Sequence, residues 1–182
     1  MTKSMTGSFY LTETVNIPLA SVNGTRVQAT VDLSAYVNVP TGQAIAIESV
    51  DFIYQRGADF SMQASAYLAG PGTVSTQLVD LNPGVQFVLA NNHSLCASGA
   101  LNIDTVNNVT SMYNDLYPDN FGPTSLSEAF LVVNDTLYLT AGNDGAAVGT
   151  QALYVTARIR CRVVKLSTKD WMAIAIQSTA EA

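Results

Sequence analysis

Charge is what this chain has least of. Asp, Glu, Lys and Arg together make up 12% of its 182 residues, against about 25% in average globular proteins. Histidine occurs once, and cysteine twice, as Cys96 and Cys161. A single histidine confines every imidazole-dependent mechanism to one loop. Two cysteines without metal-ligand spacing rule out a zinc module or a disulfide framework and read as packed, reduced thiols, with one disulfide as the alternative. No apolar run approaches the ~18 residues of a membrane helix. The opening stretch MTKSMTGSFYLTETVNIP lacks the apolar core of a signal peptide, so cytoplasmic synthesis is expected. The sequons at Asn23, Asn92, Asn108 and Asn134 then read as turn residues.

Catalytic signatures are scarce too. There is no Gly-rich phosphate loop, no HExxH and no zinc-type cysteine pair. His93 stands beside Ser94 and Cys96 in NNHSLCASG. Neighbours along a chain do not face each other as a catalytic triad must, so His93 reads as a loop residue. Asn143-Asp144-Gly145, and Asp115 with Asp119-Asn120, carry the oxygen ligands calcium prefers. Without EF-hand spacing, a structural calcium ion is a minor alternative to a hairpin turn. No cofactor, small-molecule substrate or enzymatic activity is expected.

What the chain does have is β-period segments set apart by turn clusters. Strands are expected at Ser8–Ile17, Thr25–Val39 with a break near Ser34, Ala44–Arg56, Ser61–Leu68, Val74–Leu81, Val85–Ala90, Ala129–Thr140 and Gln151–Leu166. No helical pattern of ten or more residues separates them, which excludes a parallel α/β fold. The fold class is all-β, an antiparallel eight-stranded β-sandwich of jelly-roll type, favoured by the long detour before the last pair. Residues 1–166 form this domain. Residues 91–128 read as a long loop excursion, with a short strand at Ser94–Ile103 as the alternative. Tyr113, Tyr117 and Phe121 recur there at four-residue spacing, and they are the candidates for loop-tip contacts. Residues 167–182 form a C-terminal arm or short helix, because Ser167 and Asp170 fit a helix cap while Met172, Ile174 and Ile176 alternate as a strand would.

Positive charge is concentrated in one place. Five of the eight Lys and Arg residues, namely Arg158, Arg160, Arg162, Lys165 and Lys169, fall within residues 156–171. In an extended strand the three arginines share a face, while Ala157, Ile159, Cys161 and Val163 point to the other. Three readings stand. The arginines pair with carboxylates on adjacent strands, or form half of a subunit interface, or meet phosphate. Arg158, Arg160, Arg162, Lys165, Trp171, Ile174 and Ile176 are the candidates for subunit contact. The net charge of −6 argues against strong nucleic-acid binding.

The stretches VDLSAYVNVPTGQAIAIESVDFIYQ (31–55) and QALYVTARIRCRVVKLS (151–167) resemble the single jelly-roll capsid proteins of icosahedral viruses. The resemblance implies a non-enzymatic structural protein that self-assembles into a capsid shell, located in the virion and made in the host cytoplasm. Its partners would be copies of itself and other capsid proteins. Only Lys3 precedes Arg26, whereas many such coats carry a basic N-terminal arm. That departure is similar to the small coats of membrane-containing double-stranded DNA viruses and implies proximity to a membrane. The competing function is a carbohydrate-binding β-sandwich module, which needs exposed aromatics on a concave face or at loop tips.

Overall fold

Alternating apolar and polar residues, broken by Gly, Pro, Asn and Asp, fold into ten strands and one α-helix among the described residues. The computed structural model describes residues 3–58, 63–113 and 130–180. The strands are β1 (Lys3–Ser4), β2 (Phe9–Ile17), β3 (Arg26–Asp32), β4 (Gln43–Arg56), β5 (Gly72–Val79), β6 (Leu95–Asp104), β7 (Val109–Tyr113), β8 (Phe130–Val132), β9 (Thr136–Asp144) and β10 (Leu153–Lys165). Helix α1 (Thr168–Ala180) follows.

Every pairing is antiparallel, and the pairs nest: β2 with β10, β3 with β9, β4 with β8 and β5 with β6. This nested hairpin then rolls, so that β10 lies beside β4 and β9 beside β5. One sheet runs β2-β10-β4-β8, with β1 continuing the β2 edge along the end of β10. The other runs β3-β9-β5-β6-β7. This strand order is a jelly roll. The core lies between the sheets, where fully buried Ile17, Ile45, Ile47, Leu78, Leu139 and Ile159 meet.

The strand inventory differs from expectation in instructive places. Of the expected strand Ser61–Leu68, the described residues 63–68 form no strand. They turn once through Ala64–Ala66, and Tyr67 anchors them by donating a hydroxyl bond to the Tyr54 carbonyl at 3.1 Å. Val85–Ala90 is not a strand either. Val85 has a φ of +59°, and the backbone of Val88 bonds the Gln77 side chain at 2.8 and 2.9 Å, so the segment straps β5 without joining a sheet. Ala129–Thr140 splits into β8 and β9 in opposite sheets. The chain crosses at Asn134-Asp135, where Asn134 Nδ2 donates to the Asp80 carbonyl and Leu33 N to that of Asp135. The segment 25–39 stops as a strand at Asp32, whose carboxylate accepts from Ser34 N at 2.9 Å, so the anticipated break is real.

The long excursion at 91–128 is not one loop. It contains β7 and also β6, which covers the alternative strand Ser94–Ile103 and is buried along most of its length. Short residues such as Ala97, Ser98, Gly99 and Ala100 hid a central strand behind a weak β propensity.

The C-terminal arm is a helix. Ser167 caps it, accepting from Asp170 N at 3.2 Å through its hydroxyl, and that hydroxyl also holds the Asp170 carboxyl below its ordinary value. The helix starts close to the sheet because Gly42, at φ +72°, lets the chain approach Leu166, whose N–H donates to the Gly42 carbonyl at 2.8 Å. A Cβ on Gly42 would stand 2.5 Å from the Leu166 carbonyl oxygen, which no side chain tolerates.

Candidate functional site

Strand β10 turns its arginines outward, away from the core, as its period requires. Opposite them β4 carries a bulge. Arg160 pairs with Ser49 and Cys161 with Ile47, so Glu48 is the extra residue of β4. The bulge places the Glu48 carboxylate, 3% exposed, between two guanidinium groups. Arg160 Nε lies 3.1 Å from Glu48 Oε2, and Arg162 Nε donates to Glu48 Oε1. Ser8 completes the cluster, its hydroxyl 2.9 and 3.1 Å from the two carboxylate oxygens and 3.1 Å from an Arg162 nitrogen. A carboxylate this deep survives only because it is paired and hydrogen-bonded. The cluster thereby ties the segment before β2 to the face of the sheet. Met5 N and Thr6 Oγ1 bond the backbone of Val163 nearby.

Arg158 is different. It is exposed, its guanidinium stacks 5.1 Å from the Tyr10 ring centroid, and Asp51 sits opposite it on β4. Lys165 is exposed and faces Lys3 across the β1 ladder, a like-charged pair. Of the eight cations, then, Arg160 and Arg162 serve Glu48. Arg26 serves Asp144, with both carboxylate oxygens at 3.0 Å.

Helix α1 covers the outer face of the same sheet beyond the bulge. Trp171, Ile174 and Ala175 pack on Ala44, Ala46, Val164 and Leu166, while Met172 and Ile176 project outward. Trp171 and Ile174 are therefore packed within the protomer, and Ile176 stands 63% exposed. Tyr113 ends β7, and Tyr117 and Phe121 lie outside the described residues.

The residues read for chemistry are held otherwise. His93 is exposed, the Ser94 hydroxyl is turned to Asn92 Oδ1 at 2.7 Å, and Cys96 is fully buried. Both cysteines are free thiols. Asn143 turns its amide nitrogen to the carbonyls of Val22 and Ala146 at 3.1 and 2.8 Å, and Asp144 faces Arg26. Asn143 Oδ1 is buried without a hydrogen bond, and the Asp144 carboxylate beside it is neutralised by Arg26. Asp115, Asp119 and Asn120 lie outside the described residues. Among the described residues no group of three His, Cys, Asp or Glu could hold a metal ion, and no helix is long and apolar enough to cross a membrane.

Glu48 is the residue that strand reading missed. Its signal was a lone carboxylate inside the apolar run AIAIESV, matched to a surplus of arginine elsewhere. Neither half names the other, because the contact joins residues 48 and 162.

No family model matches this chain, and no curated protein matches it. Among solved structures it is similar to the VP1 protein of Merkel cell polyomavirus, solved in complex with GD1a oligosaccharide. The identity is 11% over 89% of this chain and 98% of that one, with a TM-score of 0.42. It is also similar to the structure of tomato aspermy virus, at 9% identity over 84% and 77% of the two chains and a TM-score of 0.36. The VP1 pentamer of human polyomavirus 7 matches at 11% identity over 91% and 99%, with a TM-score of 0.37. The jelly-roll assignment rests on the strand order within this chain, not on these likenesses.

Proposed function

We propose that this protein is a structural, non-catalytic subunit that assembles with copies of itself into a viral capsid shell and resides in the virion. The observation that carries the reading is a jelly roll whose surface is poor in usable charge and rich in protruding apolar side chains. Among the described residues, at least three of the eight cations are spent on ion pairs inside the protomer. Leu19, Val22 and Val106 project from loops at one end of the sandwich, and Met5, Val39, Met172 and Ile176 from the other. Val85 and Leu89 are exposed on the segment that straps β5, and Tyr10 is exposed on the outer face of β2. A monomer keeps itself soluble with mixed charge and small apolar patches, and this surface departs from both. Of the candidates for subunit contact, Arg158, Lys165 and Ile176 are exposed, and they are the proposed contacts.

The net charge of −6 and the few free cations support a shell that does not itself bind the genome strongly. Other coat proteins, an inner layer or a membrane then fill that role. The competing reading, a carbohydrate-binding sandwich, finds little support among the described residues. Among the residues whose side chains are described, which leaves Tyr113 aside, Tyr10 is the only exposed aromatic, and Arg158 already lies over its ring.

Light scattering with negative-stain electron microscopy, from dilute to concentrated protein, tests the proposal. Rings, closed shells or discrete oligomers are the expected result. A monomer at every concentration, together with selective binding on a glycan array, would transfer the assignment to the carbohydrate module.

A further inference from the structure

A sandwich that does not close into a barrel leaves strand edges with unpaired backbone groups. Proteins guard such edges with inward charges, short strands, proline or lysine. Three of the four edges here are guarded or incompletely described. β2 turns Glu13 toward the core side in mid-strand, β8 has three residues, and β7 adjoins residues outside the description.

β3 has no such guard. It is seven residues long, RVQATVD, with no proline, lysine or inward charge. Its core-facing residues are Val27, Ala29 and Val31, and the first two are only half buried at the open flank. Its outer residues are Gln28 and Thr30 between Arg26 and Asp32. Among the described residues, the backbone of 26–32 makes no hydrogen bond besides its ladder to β9. Half of its backbone groups therefore face outward, with no partner among the described residues.

The strand is also complementary to itself. Turned antiparallel about Ala29, it sets Arg26 opposite Asp32, Val27 opposite Val31 and Gln28 opposite Thr30. Opposed residues share a face, so apolar meets apolar inside and opposite charges meet at both ends. Arg26 is held in place by its own Asp144 at 3.0 Å and by the Phe87 ring, 4.4 Å from the ring centroid, so across the axis it would share its charge between Asp144 and the Asp32 of the second copy.

We propose that β3 is a contact strand between two copies of this chain, joining their five-stranded sheets into one continuous sheet around a two-fold axis at Ala29. The contact specifies one of the subunit interfaces that the shell reading requires, and it rests on that reading. A two-fold edge contact cannot close a shell alone, so it operates beside the contacts made at the sandwich ends.

The test uses the full chain. Ala29→Cys places two introduced thiols across the axis, with Cβ atoms about 4.5–5.5 Å apart, and both native thiols are buried. Mild oxidation with copper–phenanthroline should give a disulfide-linked dimer on non-reducing gels, and Thr12→Cys on the β2 edge should not. Asp32→Lys, which sets lysine against Arg26 at both ends, should weaken dimerisation by about tenfold or more in sedimentation velocity with an unchanged circular dichroism spectrum. Persistent self-association without the Ala29→Cys dimer, and with no effect of Asp32→Lys, overturns the edge contact and leaves the shell reading in place. A strictly monomeric wild-type protein removes both.

Discussion

A carboxylate taken out of water costs several kcal/mol unless charge and hydrogen bonds replace its hydration, and Glu48 has both. Arg160 and Arg162 flank it and Ser8 completes its shell. Removing the acid would leave two guanidinium groups opposed on one face with nothing between them. Since both still reach solvent, at 40% and 23% exposed, Glu48→Ala should cost about 3 kcal/mol or somewhat less in urea unfolding. Arg158→Gln should stay within about 0.5 kcal/mol. Equal costs for the two variants would show that the cluster has no structural weight. Cys161, buried and beside the Glu48 charge, has its thiol pushed up from 9.0 to about 12. Below pH 9 the thiol is protonated folded or unfolded, so it leaves stability unchanged. Between pH 9 and about 12 the unfolded chain ionises first, and stability should fall through that window. In the native protein at pH 8, both buried thiols should resist dithionitrobenzoate until denaturant is added. Rapid labelling of Cys161 without unfolding would contradict the burial.

Strand β4 is buried on both faces at its start for two different reasons. Ile45 and Ile47 face the sandwich core, while Ala44 and Ala46 face helix α1, and their small side chains let the helix come close. Trp171 is the helix's largest contact, and its indole nitrogen is buried without an acceptor. Trp171→Ala should therefore cost about 2 kcal/mol, less than the ~3–5 kcal/mol of a fully buried Trp. Trp171→Phe should cost less still, because it also removes the unpaired donor. The chain has only one Trp, so its fluorescence reports this docking directly. Ala46→Asp sets a charge under the helix and should shift the emission to the red well before global unfolding. An unshifted spectrum would mean that the helix does not rest on Ala46.

At the scale of the whole molecule, the balance between charge and apolar surface decides what kind of assembly to expect. With so few free cations, contacts at the sandwich ends should dominate, and those strengthen in sulfate. Contacts through Arg158 and Lys165 would instead weaken as the screening length falls to ~3 Å near 1 M salt. Light scattering across sodium chloride and sodium sulfate separates the two. Persistent or increased association at high salt is expected, and dissolution by sodium chloride would return the weight to the basic row.

Much of this architecture was legible in the chain because β structure and capping are local. Alternation along Phe9–Ile17 and Leu153–Lys165, and an apolar run over Gln43–Arg56, marked the long strands, and the break near Ser34 and the Ser167 cap fell where turn and helix-end chemistry put them. The outward arginine row followed from the same period. Local pattern could not show that Phe130–Val132 and Thr136–Asp144 part into different sheets, that Val85–Ala90 serves as a strap, or that Leu95–Asp104, with small residues at its centre, is an inner strand of its sheet. Nor could it pair Glu48 with Arg160 and Arg162. A strand's tendency to form is written in its own residues, but its neighbours are chosen by which faces can be buried together, and only the folded chain brings those faces into contact.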